Sequence, residues 1–164
     1  MNFTGRVWVF GDDINTDLIL PTPVMALPQT ERPKHMFEAN RPGWVQQVQA
    51  GDIIVAGRNY GTGSGRPAAQ VMNDVGLACL LAESINGLFF RNCVNYALPA
   101  LEVSGVAAAF VEGDTAEVNF TAATVRNLRT GQTLQGAVWP SMLMNILQAG
   151  GIIRSLEREG LLRP

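Results

Sequence analysis

Histidine, lysine and cysteine are scarce in this chain of 164 residues: one histidine, His35, one lysine, Lys34, and two cysteines. Two thiols make no disulfide framework. A domain near this length buries about 68–70% of its unfolded surface and folds without a disulfide or a structural metal. Cys79 and Cys93 lie in no CxxC pattern and have no neighbouring histidine, so neither a zinc knuckle nor a redox pair is supported and both read as buried free thiols. With His35 inside a proline-rich stretch, a Ser-His-Asp hydrolase triad has no candidate base. Charge is also sparse, at 16% charged residues and a formal net charge of -2, which argues against general binding to nucleic acid, since that needs a basic face to neutralise phosphates. No apolar run reaches the roughly 18 residues of a membrane span, and Met1–Trp8 has neither a basic nor an apolar leader pattern, so a soluble cytoplasmic protein is expected.

What the chain has in quantity is apolar residues, 47% of the total, enough for a substantial core and for an apolar face that meets a partner. At roughly 100–200 residues per domain, one domain over 1–164 is expected. Arg6–Phe10 reads as a strand and Leu18–Pro21 as a second extended piece. Five prolines between Pro21 and Pro42 predict a long loop with one helical turn near His35–Ala39. Ile53–Ala56 is a buried strand, and Pro67 is placed at the first position of a helix that Gly76 ends. Leu77–Leu81, Ser84–Ala97 and Pro99–Val103 continue as strand, helix and strand. This alternation predicts an α/β fold with parallel strands and helices packed on them. Residues 112–114, Ala116–Phe120, Thr124–Arg129 and Leu134–Val138 then read as short antiparallel strands, followed by a helix over Ser141–Ala149, a Gly150-Gly151 stop and a terminal turn or helix over Ile152–Gly160.

Between the predicted strand and helix runs Gly57-Arg58-Asn59-Tyr60-Gly61-Thr62-Gly63-Ser64-Gly65-Arg66-Pro67. Its glycines let a ligand approach the backbone, the following helix N-terminus offers unpaired N–H donors, and Arg66 adds a full positive charge beside Ser64. The pattern suits an anion. It is not a nucleotide loop, because GxxxxGK[ST] is absent and the Gly61, Gly63, Gly65 spacing misses GxGxxG. A tight turn with no ligand remains the alternative reading of these residues alone.

The string Asn59-Tyr60-Gly61-Thr62-Gly63-Ser64-Gly65-Arg66 resembles the NFGCGSSREHA loop of small subunits of the 3-isopropylmalate dehydratase family, the swivel domain of the aconitase superfamily. Further matches lie in register: Gly11–Pro21 is similar to the family's GDDIDTDxIIP, Gly51–Gly57 to GDVIVAG, Phe89–Asn92 to the end of IFYRN, and Ala149–Gly151 to AGG. The resemblance implies a swivelling β/β/α three-layer domain, like the fourth domain of aconitase, with a parallel central sheet, an antiparallel sheet and helices. It implies a large iron–sulfur subunit as partner, a [4Fe-4S] cluster carried by that subunit and not by this chain, and a 2- or 3-hydroxy dicarboxylic acid as substrate. The family's base falls on Ser64 and its carboxylate-binding arginine on Arg66; Thr16, Asp17, Thr62, Gly63 and Gly65 are the expected substrate-binding positions. The implied chemistry is removal and re-addition of water, with Ser64 taking a proton beside a carboxylate while cluster iron assists departure of the hydroxyl. A helix N-terminus contributes only about 0.3–2 kcal/mol, so Ser64 needs Arg66, backbone donors and exclusion of water as well.

The chain departs from the family where Ser-Arg-Glu-His becomes Gly65-Arg66-Pro67-Ala68, losing a hydroxyl, a carboxylate and an imidazole beside the anion site. Three readings therefore stay open: an isopropylmalate-type subunit, a related hydro-lyase subunit for another alkylmalate or a phosphorylated hydroxy acid, and a diverged non-catalytic anion-binding subunit. The apolar segment Val24–Gln29, at the family's specificity loop, favours an alkyl-bearing substrate. Asp13, Asn15 and Asp17 begin like a calcium loop but lack its later glycine and glutamate, and are expected to make turn hydrogen bonds instead. Arg91 and Asn92, taken without the family, read as a solvated helix edge.

Overall fold

The computed structural model describes residues 1–162. The first strand, β1 (Asn2–Phe10), organises everything else because its two halves pair on opposite edges. Val7–Phe10 runs parallel to β2 (Ile53–Ala56), and Asn2–Arg6 runs antiparallel to β5 (Thr115–Asn119). From β2 the sheet continues in parallel through β3 (Cys79–Ala82) to β4 (Ala100–Glu102). From β5 it continues antiparallel through β6 (Thr124–Asn127) to β7 (Thr133–Gln135). The result is one seven-stranded mixed sheet of order β4-β3-β2-β1-β5-β6-β7. Both predicted kinds of pairing are present. The strands IIVA and CLLA are buried along their whole length, as parallel strands covered on both faces must be, whereas β5 and β6 alternate buried and open positions.

Helices α2 (Ala68–Val75), α3 (Gly87–Asn95), α5 (Ser141–Ala149) and α6 (Ile152–Arg158) pack on one another, and the short α4 (Val106–Ala109) lies against β2 and β3. Gly76 and Gly150 end α2 and α5 with the left-handed backbone that a glycine stop provides. The proline-rich segment is held to the core by aromatic anchors. Phe37 and Trp44 are fully buried, with Phe37 stacked on Phe10 at 4.3 Å and Trp44 edge-on to Phe37 at 4.9 Å, geometries favoured by the ring quadrupoles.

Several boundaries differ from the sequence expectations. Of Leu18–Pro21, Leu20 is extended but Leu18 and Ile19 are not: residues Thr16–Ile19 form a helical turn, α1, because the Asn15 side chain accepts from the Leu18 amide and caps it. The helical turn expected at His35–Ala39 lies at Arg32–His35, with further 3-10 turns at Thr22–Ala26 and Trp44–Gln46. Pro67 sits one residue earlier than expected, as the cap of α2 rather than its first residue. Residues 112–114 form a turn instead of a strand, since the Asp114 carboxylate accepts from the Val111 amide and closes it. Helix α4 carried no periodic signal, being only four residues long.

Candidate active site

The loops that leave the carboxyl ends of parallel strands β1, β2 and β3 meet, which is where open α/β sheets place ligands. The glycine-rich loop after β2 is laced to the loop after β1: the Asp13 amide donates to the Arg58 carbonyl at 2.8 Å, the Gly61 amide to the Ile14 carbonyl at 2.7 Å, and the Thr16 amide to the Thr62 carbonyl at 2.7 Å. The loop after β3 is tied in by the Tyr60 amide, which donates to the Ser84 carbonyl at 3.0 Å, and by the Asn86 amide, which donates to the Tyr60 carbonyl at 2.8 Å. Two glycines are required by this lacing. A side chain at Gly61 would strike the Phe89 ring at 2.1 Å, and one at Gly63 would come within 2.7 Å of Thr16 Oγ1; both residues have positive φ, +79° and +109°.

Ser64 and Arg66 emerge from this frame beside Thr16 and Asp17. Arg66 Nε donates to Ser64 Oγ at 2.8 Å, and the Ser64 amide donates to Thr16 Oγ1 at 3.1 Å. The Thr16 and Ser64 hydroxyls lie 3.5 Å apart, at the outer limit of a hydrogen bond. Arg66 Nη1 donates to Asp17 Oδ1 at 2.8 Å and to the Leu20 carbonyl at 2.7 Å. The Arg66 side chain is 11% exposed although Ser64 and Gly65, the two residues before it, are open, so the guanidinium is inset beside an exposed serine. Hydrogen bonds from Thr22 and then Arg66 hold the Asp17 carboxyl below its ordinary range, so Asp17 is charged at neutral pH. The amides of Gly63, Gly65 and Arg66 donate to nothing among the described residues, leaving free N–H groups on both sides of Ser64. Thr16, Asp17, Ser64, Gly63, Gly65 and Arg66 are thus brought together, while Thr62 contributes its backbone carbonyl to the frame.

One expectation about this site is corrected in part. The first turn of α2 presents fewer open donors than expected: Asn92 Oδ1 accepts from the Ala69 amide at 3.0 Å and the Ala68 amide donates to the Arg66 carbonyl at 2.7 Å, which leaves the Gln70 amide without an acceptor among the described residues. Asn92 is therefore a buried cap for a neighbouring helix and not part of a solvated edge, although Arg91 beside it is exposed. The asparagine was identifiable as a residue but not as a cap, because its partner lies 23 positions away. Sequence reasoning also missed Thr22, whose hydroxyl donates to Asp17 Oδ1 at 2.7 Å and accepts from Arg66 Nη2 at 3.2 Å.

The apolar segment Val24–Gln29 is partly consumed by folding, with Val24 buried and Met25 and Leu27 packed on the core. Pro21, Pro23, Val24, Leu27 and Ala39 still line an open apolar groove, with His35 and Glu38 at its rim, His35 Nδ1 lying 2.6 Å from Glu38 Oε2. Asp13 and Asn15 make the expected turn contacts: Asp13 accepts from Asn59 Nδ2 and Asn15 caps α1. No group of three or more histidine, cysteine, aspartate or glutamate side chains is arranged to hold a metal among the described residues. Cys79 and Cys93 are fully buried and burial pushes both thiols well above their usual range, so neither is available as a thiolate ligand, and this chain's residues do not fit an iron–sulfur cluster.

Comparison with known proteins places this geometry. The Aconitase C-terminal domain model matches residues 22–105. The chain is 42% identical to the 3-isopropylmalate dehydratase small subunit 1 of Methanopyrus kandleri, over 95% of this chain and 93% of that protein. It is 38% identical to the isopropylmalate/citramalate isomerase small subunit of Methanocaldococcus jannaschii, over 94% of each. A crystal structure of 3-isopropylmalate dehydratase from Methanocaldococcus jannaschii superposes with a TM-score of 0.92 at 28% identity, covering 98% of this chain and 96% of that one. The mixed sheet, the loops that meet beyond its parallel strands and the similarity along nearly the whole chain make this protein a member of the 3-isopropylmalate dehydratase small-subunit family of the aconitase superfamily.

Proposed function

We propose that this chain is the swivel-domain small subunit, one domain over 1–164, of a cytoplasmic heteromeric hydro-lyase that dehydrates and rehydrates a 2- or 3-hydroxy dicarboxylic acid of the isopropylmalate type. Family membership supports the reaction class, and the 2.8 Å contact between Arg66 Nε and Ser64 Oγ carries the assignment of roles. Ser64, as alkoxide, takes the proton from the carbon next to a carboxylate; the C–H electrons form the double bond, and the hydroxyl on the adjacent carbon departs as hydroxide, so that this hydroxide and the proton now on Ser64 Oγ together account for one water. Return of water to the other carbon completes an isomerisation. A serine hydroxyl loses its proton far less readily than a carboxylic acid, so charge on Oγ must be stabilised by groups already in place. Arg66 supplies a full positive charge, and the free amides of Gly63, Gly65 and Arg66 supply dipoles. Arg66 also offers its remaining N–H to the substrate carboxylate.

The partner in this reading is a large iron–sulfur subunit, and no nucleic acid or membrane is involved. The [4Fe-4S] cluster belongs to that subunit and supplies Lewis-acid polarisation of the leaving hydroxyl. Closure of the two subunits excludes water from Ser64, which is open in the free chain.

The apolar groove of Pro21, Pro23, Val24 and Leu27 begins next to Leu20 and Thr22, the residues that hold Arg66, and favours an alkyl group over a further carboxylate. Ser64→Ala in the reconstituted enzyme tests the proposal. Turnover of 3-isopropylmalate is expected to fall by about 10²–10⁴-fold, the contribution of a positioned base, with the melting curve unchanged. Full activity in that variant would remove Ser64 from the mechanism, and a reconstituted wild type inert toward 3-isopropylmalate, citramalate and phosphorylated hydroxy acids would favour a non-catalytic anion-binding subunit.

A further inference from the structure

The guanidinium of Arg66 has five N–H donors, and four are taken within the chain: Nε by Ser64, Nη1 by Asp17 and Leu20, and Nη2 by Thr22. Three of these partners come from residues 17–22, and the fourth is the candidate base. An arginine that swung toward solvent would present a two-pronged fork to a carboxylate but would leave Ser64. The contacts from residues 17–22 prevent that swing. Thr22 is distinctive among them because its hydroxyl donates to Asp17 Oδ1 at 2.7 Å while accepting from Arg66 Nη2 at 3.2 Å, and Asp17 Oδ1 in turn accepts from Arg66 Nη1 at 2.8 Å. Hydroxyl, carboxylate and guanidinium therefore close a ring. Thr22 stands between Pro21 and Pro23, whose fixed φ angles limit the conformations of the segment and preorganise the hydroxyl.

We propose that Thr22 is a positioning residue for the reaction: it locks Arg66 against Asp17 so that Nε stays on Ser64 Oγ, leaving Arg66 one N–H, a single-point contact, for the substrate carboxylate. The proposal rests on the roles given above to Ser64 and Arg66. It follows that loss of the Thr22 hydroxyl weakens the base more than it weakens substrate binding.

The test is reconstituted enzyme carrying Thr22→Val, which keeps the shape and removes the hydroxyl, beside Thr22→Ser, which keeps the hydroxyl and removes the methyl. Thr22→Val is expected to lower kcat about 3–10-fold, the scale of one or two hydrogen bonds, with KM for 3-isopropylmalate changed less than about twofold. The rising limb of its kcat profile is expected to move to higher pH, because Ser64 loses the fixed Nε donor. Thr22→Ser should return kcat to within about twofold of wild type. On the free chain, the Arg66 Nε–H is expected to exchange slowly with solvent in the wild type and Thr22→Ser and quickly in Thr22→Val, a readout independent of turnover. Wild-type kcat, pH profile and Nε–H exchange in Thr22→Val would overturn the proposal, as would a Thr22→Ser variant as impaired as Thr22→Val. Failure of the underlying reading is separately visible as full activity in Ser64→Ala.

Discussion

Gly63→Ala is the sharpest test of the frame that holds Ser64, because two independent penalties fall on one methyl group. The residue has a φ of +109°, in a region that L side chains rarely adopt, and holding an alanine there costs about 1–2 kcal/mol. The added carbon would also sit 2.7 Å from Thr16 Oγ1. That atom belongs to a buried side chain and accepts from the Ser64 amide at 3.1 Å, so relief by rotating Thr16 removes this hydrogen bond, at about 0.5–1.5 kcal/mol. The sum is about 1.5–3.5 kcal/mol, a large part of the roughly 5–15 kcal/mol that holds a domain folded. At about 2–4 °C per kcal/mol for a chain of this size, Tm should fall by about 3–14 °C. Gly65→Ala is the internal control: its φ is not positive and its new methyl would meet only Leu88, at 3.8 Å, an ordinary contact. Its stability should stay within about 0.5 kcal/mol of wild type or rise slightly, since alanine restricts the unfolded chain. Urea denaturation of both variants, with the slope m checked for constancy, gives the free energies directly. Equal stability of Gly63→Ala and Gly65→Ala would refute the reasoning, because it would mean that neither the backbone of Gly63 nor its approach to Thr16 shapes the loop.

Asn92→Ala should destabilise the chain by about 1–3 kcal/mol in the same denaturation assay, because the Ala69 amide that Asn92 accepts from is buried and would be left unpaired. Acid should unfold the protein through Asp114, a buried carboxylate that the Arg129 hydrogen bonds hold well below the usual range, against the opposing effect of burial. Its stabilising effect is complete above the unfolded-state pKa near 4 and declines as pH falls below it, so urea midpoints should drop between about pH 4 and 2 and the drop should shrink in Asp114→Asn. Cys79 and Cys93 should resist iodoacetamide at pH 8 in the native chain and react once it is unfolded, as followed by mass spectrometry, since both thiols are buried and kept protonated. Arg66→Lys in the reconstituted enzyme should lose at least about tenfold in turnover, because a lysine ammonium keeps the charge but cannot reach Ser64, Asp17, Leu20 and Thr22 together.

The composition, the strand and helix alternation and the short antiparallel strands after residue 112 were sufficient to read a mixed α/β fold, because apolar runs such as IIVA and CLLA have no soluble fate other than burial between layers. The ordered motifs along the chain were sufficient to read the family, and the glycine spacing marked the loop that carries Ser64 and Arg66. Tertiary structure decided what pairs with what. That β1 carries parallel pairing on one edge and antiparallel pairing on the other is a property of where β2 and β5 dock, not of the string NFTGRVWVF. Asn92 reads as an exposed polar residue until α2 is laid beside it, and Thr22 reads as a loop hydroxyl until the turn after Asn15 brings it to Asp17 and Arg66. Burial is legible in sequence because it depends on the kind of side chain at a regular period; hydrogen-bond partnership across 23 or 44 positions is not, because it depends on the meeting of loops whose relative placement the core alone determines.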